Sequence, residues 1–324
     1  MEELYSLDGA SFARLQPVYG LVFLFKWTGE KDDRTTSNAS SHPELFFAHQ
    51  VIPNACATQA ILSVLLNGSH KIDIGEVLSD FKAFTAGFPP DMKGLAISNS
   101  ETIRSVHNGY SRQEPFFIER GDGGGKKDDA FHFVAYVPHE GKVFELDGLK
   151  SGPIILGDIP ATDDVHERDI WLEVASPAIE ERIARYSSGE IRFNLMAIVK
   201  NRKQVAMEGK ERCLKRVDAI IQALVAEGPG EQRPEDDTPF VLEQTERLEH
   251  QKICELQAAE EFNLTIFNEE EKFVQWRKEN VRRKHNYIPF AVALVSTLAE
   301  KGYLQQLIKV ATKKAIEREG VSEW

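Results

Sequence analysis

Apolar and small residues fill one stretch of the chain almost without interruption, from Ala55 to Leu66. Asn54 precedes this stretch and Asn67 follows it, so the pattern predicts a helix that is buried on all sides, with Asn54 as its N-cap. Cys56 then occupies about the second helical position. Unpaired backbone amides and the helix dipole at this end favour the negative charge of a thiolate, the nucleophilic form of cysteine. The structural alternative is a core cysteine, which is the commoner role of cysteine in an apolar helix.

Two apolar and aromatic runs, 131–138 and 143–148, flank a short Gly-containing connection and predict a β-hairpin. An even-length turn in that connection pairs Val134 with Asp147, which makes His132 and Asp147 diagonal neighbours on one face of the hairpin. The carboxylate would then orient the imidazole, as in a Cys-His-Asp triad. An odd-length turn would separate the two residues, and a core histidine with a turn aspartate is the other interpretation.

The remaining pattern predicts a sheet-containing region followed by long helices. Strands are expected at 20–26 and 190–199, and helices at 74–88, 99–113 and 203–227. Prolines and glycines between 228 and 239 indicate a linker. We therefore expect a catalytic domain at 1–200, a helix and linker at 201–239, and a helical extension at 240–324.

Composition is that of a globular protein, since 42% of the 324 residues are hydrophobic. Neither an apolar run of about eighteen residues nor a signal peptide is present, so we expect a soluble intracellular protein without a membrane partner. Three widely separated cysteines, Cys56, Cys213 and Cys254, match neither a disulfide framework nor a familiar zinc site. The sequence has no P-loop or dinucleotide fingerprint, so no cofactor is expected.

The charge of the chain is unevenly distributed. The net charge is −12, and residues 1–200 carry 19 Lys and Arg against 29 Asp and Glu. This acidic body disfavours nucleic acid and favours a basic partner or substrate, or simply aids solubility. Residues 240–275 carry 9 acidic and 3 basic residues, whereas 276–318 carry 3 acidic and 10 basic ones. Such a reversal suggests two helical blocks that pack on each other, or a docking surface.

Three motifs, QVIPNACATQA, DDAFHFVAYVP and VFELDGL, resemble those of the ubiquitin C-terminal hydrolases, a papain-like family. The resemblance implies an α/β (α+β) fold in which helices flank an antiparallel sheet, and a thiol hydrolase that acts at the C-terminal glycine of ubiquitin. It implies the nucleophile at Cys56, the general base and acid at His132, and the residue that orients His132 at Asp147. Gln50 matches the side-chain donor to the oxyanion. A non-catalytic ubiquitin-binding scaffold is the alternative function.

The segments RFNLMAIV and ENVRRKHNYIPF resemble family members that associate with the proteasome and carry an all-α C-terminal extension. This implies docking of the C-terminal helices onto the adaptor domain of a proteasomal ubiquitin receptor, or onto a chromatin-remodelling subunit, and a cytoplasmic and nuclear location. Residues 110–130 match the crossover loop of the family, and we expect 119–129 to gate substrate entry. Family members have about thirty residues before the part that matches Glu3, so we expect an N-terminus that is naturally short or trimmed.

Overall fold

The computed structural model describes residues 1–27, 34–52, 54–110, 131–161, 170–186, 193–226 and 238–319. The predicted crossover loop and gate, apart from Tyr110, and most of the predicted linker lie outside the described residues. Two compact units are present within the described part. Of the described residues, the first holds those from Met1 to Asn108 and from Phe131 to Phe273, and the second holds Gly109, Tyr110 and those from Val274 to Glu319. These units are defined by contacts, so the domain boundaries at 200 and 239 stay a prediction.

Six strands and ten α-helices are described. The strands are β1 (Glu2–Leu4), β2 (Val18–Lys26), β3 (Phe131–His139), β4 (Lys142–Leu146), β5 (Ile154–Asp158) and β6 (Phe193–Val199). The helices of the first unit are α1 (Gly9–Ala13), α2 (Cys56–Asn67), α3 (Gly75–Thr85), α4 (Pro90–Asn99), α5 (Glu101–Asn108), α6 (Trp171–Tyr186) and α7 (Arg202–Ala226). They are followed by α8 (Thr238–Lys284), which runs into the second unit, and by α9 (Ile288–Glu300) and α10 (Leu304–Glu319). A short 3-10 helix spans Ala39–Ser41.

The strands form one antiparallel sheet in the order β1-β6-β2-β3-β4-β5. The predicted hairpin is confirmed, because β3 and β4 pair in the expected register, for example Tyr136 with Glu145. Its tight turn uses positive φ at Glu140 (44°) and Gly141 (73°). The last paired residues are Ala135 and Leu146, so His132 and Asp147 lie just beyond the paired section.

Helices cover both faces of the sheet, which confirms the predicted fold class. Ala135 and Val137 of β3 belong to the same apolar cluster as Ala60 and Val64 of α2. The alternate residues of β3 pack on the opposite face against Trp171, Leu172, Ala175 and Ile179 of α6. Since side chains alternate across a strand, β3 joins the two halves of the core.

The predicted burial of α2 is confirmed, since every residue of the helix is buried or half-buried. The predicted cap is wrong. Ala55 is the N-cap and makes no side-chain capping bond, so Cys56 is the first helical residue. The amide of Ala55 donates to the carbonyl of Ile52 (3.2 Å), which closes a turn immediately before the helix and leaves Asn54 exposed within that turn.

The apolar pattern did not predict β1, β5, α1, α4 or α6. Helix α6 contains Pro177, which breaks the expected helical pattern, and β1 and β5 are only three and five residues long. None of the described helices is both long enough and apolar enough to cross a membrane.

The acidic part of α8 packs on α7 within the first unit. Arg216 of α7 forms a bidentate pair with Glu255 (2.7 Å for both bonds), and Lys203 pairs with Glu270 (2.8 Å). Helices α9 and α10 belong to the second unit, and α9 has no buried residue.

Candidate active site

The candidate nucleophile, Cys56, is the first residue of α2 and is partly accessible to solvent. Cys56 is the first helical residue because the turn closed by Ala55 and Ile52 ends where the apolar run of α2 begins. A side chain at the first helical position lies near the unpaired amides of the first turn, whose partial positive charge stabilises a thiolate. The arrangement therefore suits a nucleophile better than a core cysteine.

His132 and Asp147 are joined by a hydrogen bond of 2.7 Å between Nε2 and Oδ1. Both side chains are almost completely buried. The same carboxylate oxygen accepts the backbone N–H of Leu149 (2.9 Å), which fixes the aspartate in its turn. Nε2 of the imidazole is engaged by Asp147, and Cys56 lies close enough to the ring to raise the pKa of His132. The structure thus brings all three predicted residues together.

The pKa of His132 results from opposing influences. Burial lowers it, but hydrogen bonds to Asp147 and Cys56 and the negative charges of both raise the pKa to about 9. For Asp147, burial raises the pKa, while the hydrogen bond and charge of His132, the Leu149 amide and the charge of Arg182 together hold it below its usual value. At neutral pH the pair is therefore an imidazolium beside a carboxylate, and the imidazolium can stabilise a thiolate.

Two aromatic rings fix the imidazole laterally. Phe25, which pairs with His132 across β2 and β3, meets it edge-on at a centroid distance of 5.7 Å. The ring of Trp27 lies 6.0 Å away. Neither residue was predicted as part of the site, because the contact depends on the register of two strands far apart in sequence.

Gln50 lies beside the nucleophile, in a pocket whose lining also includes Cys56, Gln59, Phe133 and Gly148. Its backbone N–H donates to the carbonyl of Gly148 (2.8 Å), and its side-chain amide donates to the carbonyl of Ile52 (3.1 Å). An amide NH₂ group has two N–H bonds, so the contact with Ile52 is compatible with donation to an oxyanion. The fourth predicted residue is therefore also at this site.

Behind His132 and Asp147 lies a buried ionic cluster that the sequence analysis missed. Glu145 is fully buried and accepts two bonds from Arg34 (2.7 and 2.9 Å) and one from Arg182 (2.8 Å). Arg182 also stacks over Phe25 at 4.8 Å, the ring that touches His132. A glutamate within an apolar strand was the available signal, because a buried charge needs a partner. Its arginine partners could not be inferred from the pattern.

The other two cysteines are distant from this chemistry. Cys213 is buried on α7, where its sulfur contacts Arg216, and Cys254 is exposed on α8. Among the described residues, no group of three or more His, Cys, Asp or Glu side chains could hold a metal ion.

Comparison with known proteins identifies the family. Residues 1–184 match the family described as ubiquitin carboxyl-terminal hydrolase, family 1, and residues 259–304 match a second description, ubiquitin carboxyl-terminal hydrolases. The chain belongs to the ubiquitin C-terminal hydrolase family. It is accordingly a cysteine-type ubiquitin hydrolase of papain-like fold.

Ubiquitin C-terminal hydrolases of several organisms are similar over most of the chain. Isozyme L5 of Dictyostelium discoideum is 45% identical over 322 residues, which cover 98% of this chain and 90% of that protein. Hydrolase ubh-4 of Caenorhabditis elegans is 40% identical and covers 98% of this chain and 86% of that protein. The BAP1 hydrolase of Danio rerio is 42% identical over 238 residues, but these cover only 30% of BAP1.

Solved structures show the same fold. The UCH37 catalytic domain of Trichinella spiralis, bound to ubiquitin vinyl methyl ester, superposes with a TM-score of 0.51 at 40% identity and covers 61% of this chain and 83% of that chain. A second UCH37 structure from the same organism, with the same ubiquitin derivative, gives a TM-score of 0.51 at 33% identity and covers 81% of this chain and 88% of that one.

Proposed function

We propose that the protein hydrolyses amide, isopeptide or ester bonds at the C-terminal glycine of ubiquitin, with Cys56 as the nucleophile and a thioester as the intermediate. The observation that carries the proposal is the contact of the Cys56 thiol with an imidazole that Asp147 holds at 2.7 Å. This arrangement provides a nucleophile, a proton carrier and an orienting carboxylate.

The proposed reaction has two halves. The Cys56 sulfur attacks the carbonyl carbon of the last glycine of ubiquitin, and the oxyanion receives hydrogen bonds from the Gln50 amide and the backbone N–H of Cys56. His132 donates its proton to the leaving amine as the C–N bond breaks, which leaves ubiquitin attached as a thioester. His132 then takes a proton from water, which attacks the thioester and releases ubiquitin as a carboxylate.

Covalent labelling and turnover test this proposal together. Incubation with ubiquitin vinyl methyl ester should add one ubiquitin per chain, and a ubiquitin C-terminal fluorogenic amide should be hydrolysed. Cys56→Ala should abolish both while ubiquitin binding remains, whereas the control variants Cys213→Ser and Cys254→Ser should keep both. A folded wild-type protein that binds ubiquitin but is neither labelled nor active would instead be the non-catalytic scaffold.

The C-terminal helices are proposed to recruit the enzyme to the proteasome through the adaptor domain of a proteasomal ubiquitin receptor. The same helices are proposed to bind a chromatin-remodelling subunit. The family resemblance of the tail supports both partners, and so do exposed apolar side chains on α9 and α10, including Phe290 and Leu307. A large apolar surface of this kind is typical of a protein interface.

On the same resemblance, the protein is proposed to act in the cytoplasm and the nucleus. Imaging of the tagged full chain in cells tests this location. A signal confined to mitochondria or to the secretory pathway would contradict it.

A further inference from the structure

Gln59 is a buried polar residue of the mainly apolar helix α2, one turn after Cys56. Its side chain is 7% exposed and lines the pocket that Cys56 and Gln50 share. A buried amide has to be hydrogen-bonded to avoid a desolvation cost of about 1–3 kcal/mol. The hydrogen-bond partners of the Gln59 amide therefore show which parts of the chain this residue holds in place.

The amide of Gln59 holds the segment that leads to Gln50. Its Nε2 donates a short hydrogen bond of 2.5 Å to the carbonyl of Ala48, two residues before Gln50. The segment is thereby attached to the same helix that carries Cys56.

Gln59 also contacts the turn that carries Asp147. A Cβ atom added to Gly148 would lie 2.3 Å from Nε2 of Gln59 and 3.1 Å from Cβ of Gln50. The side-chain amide of Gln59 therefore packs directly on the backbone of Gly148. The carbonyl of Gly148 in turn accepts a hydrogen bond from the backbone N–H of Gln50 (2.8 Å). The side chain of Gln59 on α2 thus contacts two other chain segments, the one with Gln50 and the turn with Asp147.

We infer that Gln59 is a positioning residue that sets the Gln50 amide, and with it the oxyanion site, relative to the Cys56 sulfur. Gln59 does not touch the reacting atoms in this inference and acts through Ala48, Gln50 and Gly148. Displacement of an oxyanion donor by less than 1 Å is enough to lose much of its effect on the transition state. The inference rests on the proposed function, because it assigns a determinant of the same oxyanion site.

Asn67 provides a matched control on the same helix. It is also a buried amide, and it binds the same segment at Phe46, accepting the Phe46 N–H (2.7 Å) and donating to the Phe46 carbonyl (2.9 Å). Asn67 lies at the far end of α2, three turns from Cys56. Its loss should weaken the same packing without altering the position of Gln50.

The experiment compares Gln59→Met with Asn67→Leu, since each substitution approximately keeps the side-chain volume and removes the amide. Turnover of a ubiquitin C-terminal fluorogenic amide is measured well below the melting temperature of each variant, with alkylation of Cys56 by iodoacetamide as a second readout. Gln59→Met should lower kcat about 10-fold or more with KM nearly unchanged. Alkylation needs no oxyanion donor, so its rate should stay within about twofold of wild type. Asn67→Leu should lower the melting temperature but keep kcat.

A double-mutant cycle with Gln50→Ala separates positioning from general destabilisation. If Gln59 acts through Gln50, Gln59→Met cannot lower kcat by more than Gln50→Ala does. In the double variant, Gln59→Met should lower the kcat of Gln50→Ala by less than about threefold. Independent, multiplying losses, or a Gln59→Met enzyme with wild-type kcat, would overturn the inference. If Gln59→Met does not fold, Gln59→Asn withdraws the same donor from Ala48 and takes its place. An inactive wild-type protein would refute the proposed function itself, which is a different result.

Discussion

At the scale of single residues, the site is defined by the neighbours of His132. Burial lowers the pKa of His132, and the interactions of the imidazole with Asp147 and Cys56 more than offset that effect. A histidine with a pKa of about 9 keeps its proton throughout the physiological range, in which a free histidine would lose it. In the proposed reaction, the proton that the leaving amine needs is therefore present before the substrate arrives.

The first prediction concerns the alkaline limit of activity. Because the folded pKa of His132 is raised from 6.5 to about 9, its proton is kept below pH 9 and lost as the pH rises through that value. kcat/KM of the wild type should therefore fall above about pH 9. The pH profile of ubiquitin amide hydrolysis checks this, and a fall already complete by pH 7 would contradict the pairing with Asp147 and Cys56.

Asp147→Asn should change both the rate and this limit. The hydrogen bond and the charge of Asp147 both raise the pKa of His132. The substitution removes the charge and replaces the carboxylate acceptor by a neutral amide. The alkaline limb should move to lower pH, and kcat should fall by about 100-fold or more while iodoacetamide still alkylates Cys56. Asp158→Asn is a suitable control, since Asp158 pairs with Lys142 on the exposed side of the hairpin. Equal effects of the two variants would argue against the orienting role of Asp147.

The sequence predicted the reacting residues better than their supports. Cys56 could be predicted because its helix is marked by a nearly continuous run of apolar and small residues, and His132 with Asp147 because a tight hairpin fixes their register locally. Gln59 and Glu145 were detectable as polar residues in apolar runs, but their partners Ala48, Gly148, Arg34 and Arg182 come from distant segments. Such long-range contacts have no signal in a single sequence.

At the scale of elements, the packing of α2 on the sheet requires a glycine in β2. A Cβ atom on Gly20 would lie 2.5 and 2.8 Å from the two methyl groups of Val64 and 3.0 Å from the carbonyl of Tyr136. Val64 is fully buried and the carbonyl belongs to the sheet, so neither can move easily. The same glycine coincides with the shift in register between β2 and β6.

Gly20→Ala should therefore destabilise the protein by about 1–3 kcal/mol, the usual cost of overfilling a packed core. Denaturant unfolding of the full chain measures this change in the free energy of unfolding. Gly87→Ala is the control, because nothing lies within 4 Å of the Cβ position at Gly87. An unchanged or increased stability of Gly20→Ala would mean that α2 can shift away from the sheet at little cost.

Elements were predicted where the hydrophobic periodicity is long or the connecting turn is tight, and were missed where neither condition holds. The hairpin β3–β4 and helix α7 meet these conditions. Strands β1 and β5 are stable only because they pair with β6 and β4 at the edges of the sheet. Their formation is a property of the assembled sheet, not of their own few residues.

At the scale of the whole molecule, the reversal of charge along the C-terminal part has a partial structural explanation. Glu255 and Glu270 in the acidic half of α8 are used within the first unit, as partners of Arg216 and Lys203 on α7. The basic half begins close to the start of the second unit at Val274. The acidic residues therefore contribute to packing, and the basic and apolar residues beyond them are the proposed docking surface.

The last prediction is that residues after about Val281 bind a protein partner. Truncation after Asn280 leaves intact the whole first unit, which ends at Phe273, so hydrolysis of a small ubiquitin amide should stay within about twofold of wild type. The truncated protein should no longer co-purify with proteasomes. Phe290 is 65% exposed on α9, so Phe290→Glu should reproduce the loss without unfolding the helix. Lys313→Gln on α10 is the control, because it also changes the charge by −1 at an exposed position but leaves the apolar anchor untouched. If the truncated protein still co-purifies, docking must lie in the first unit. If Lys313→Gln abolishes binding as completely as Phe290→Glu, the partner recognises the basic charge and not the apolar surface.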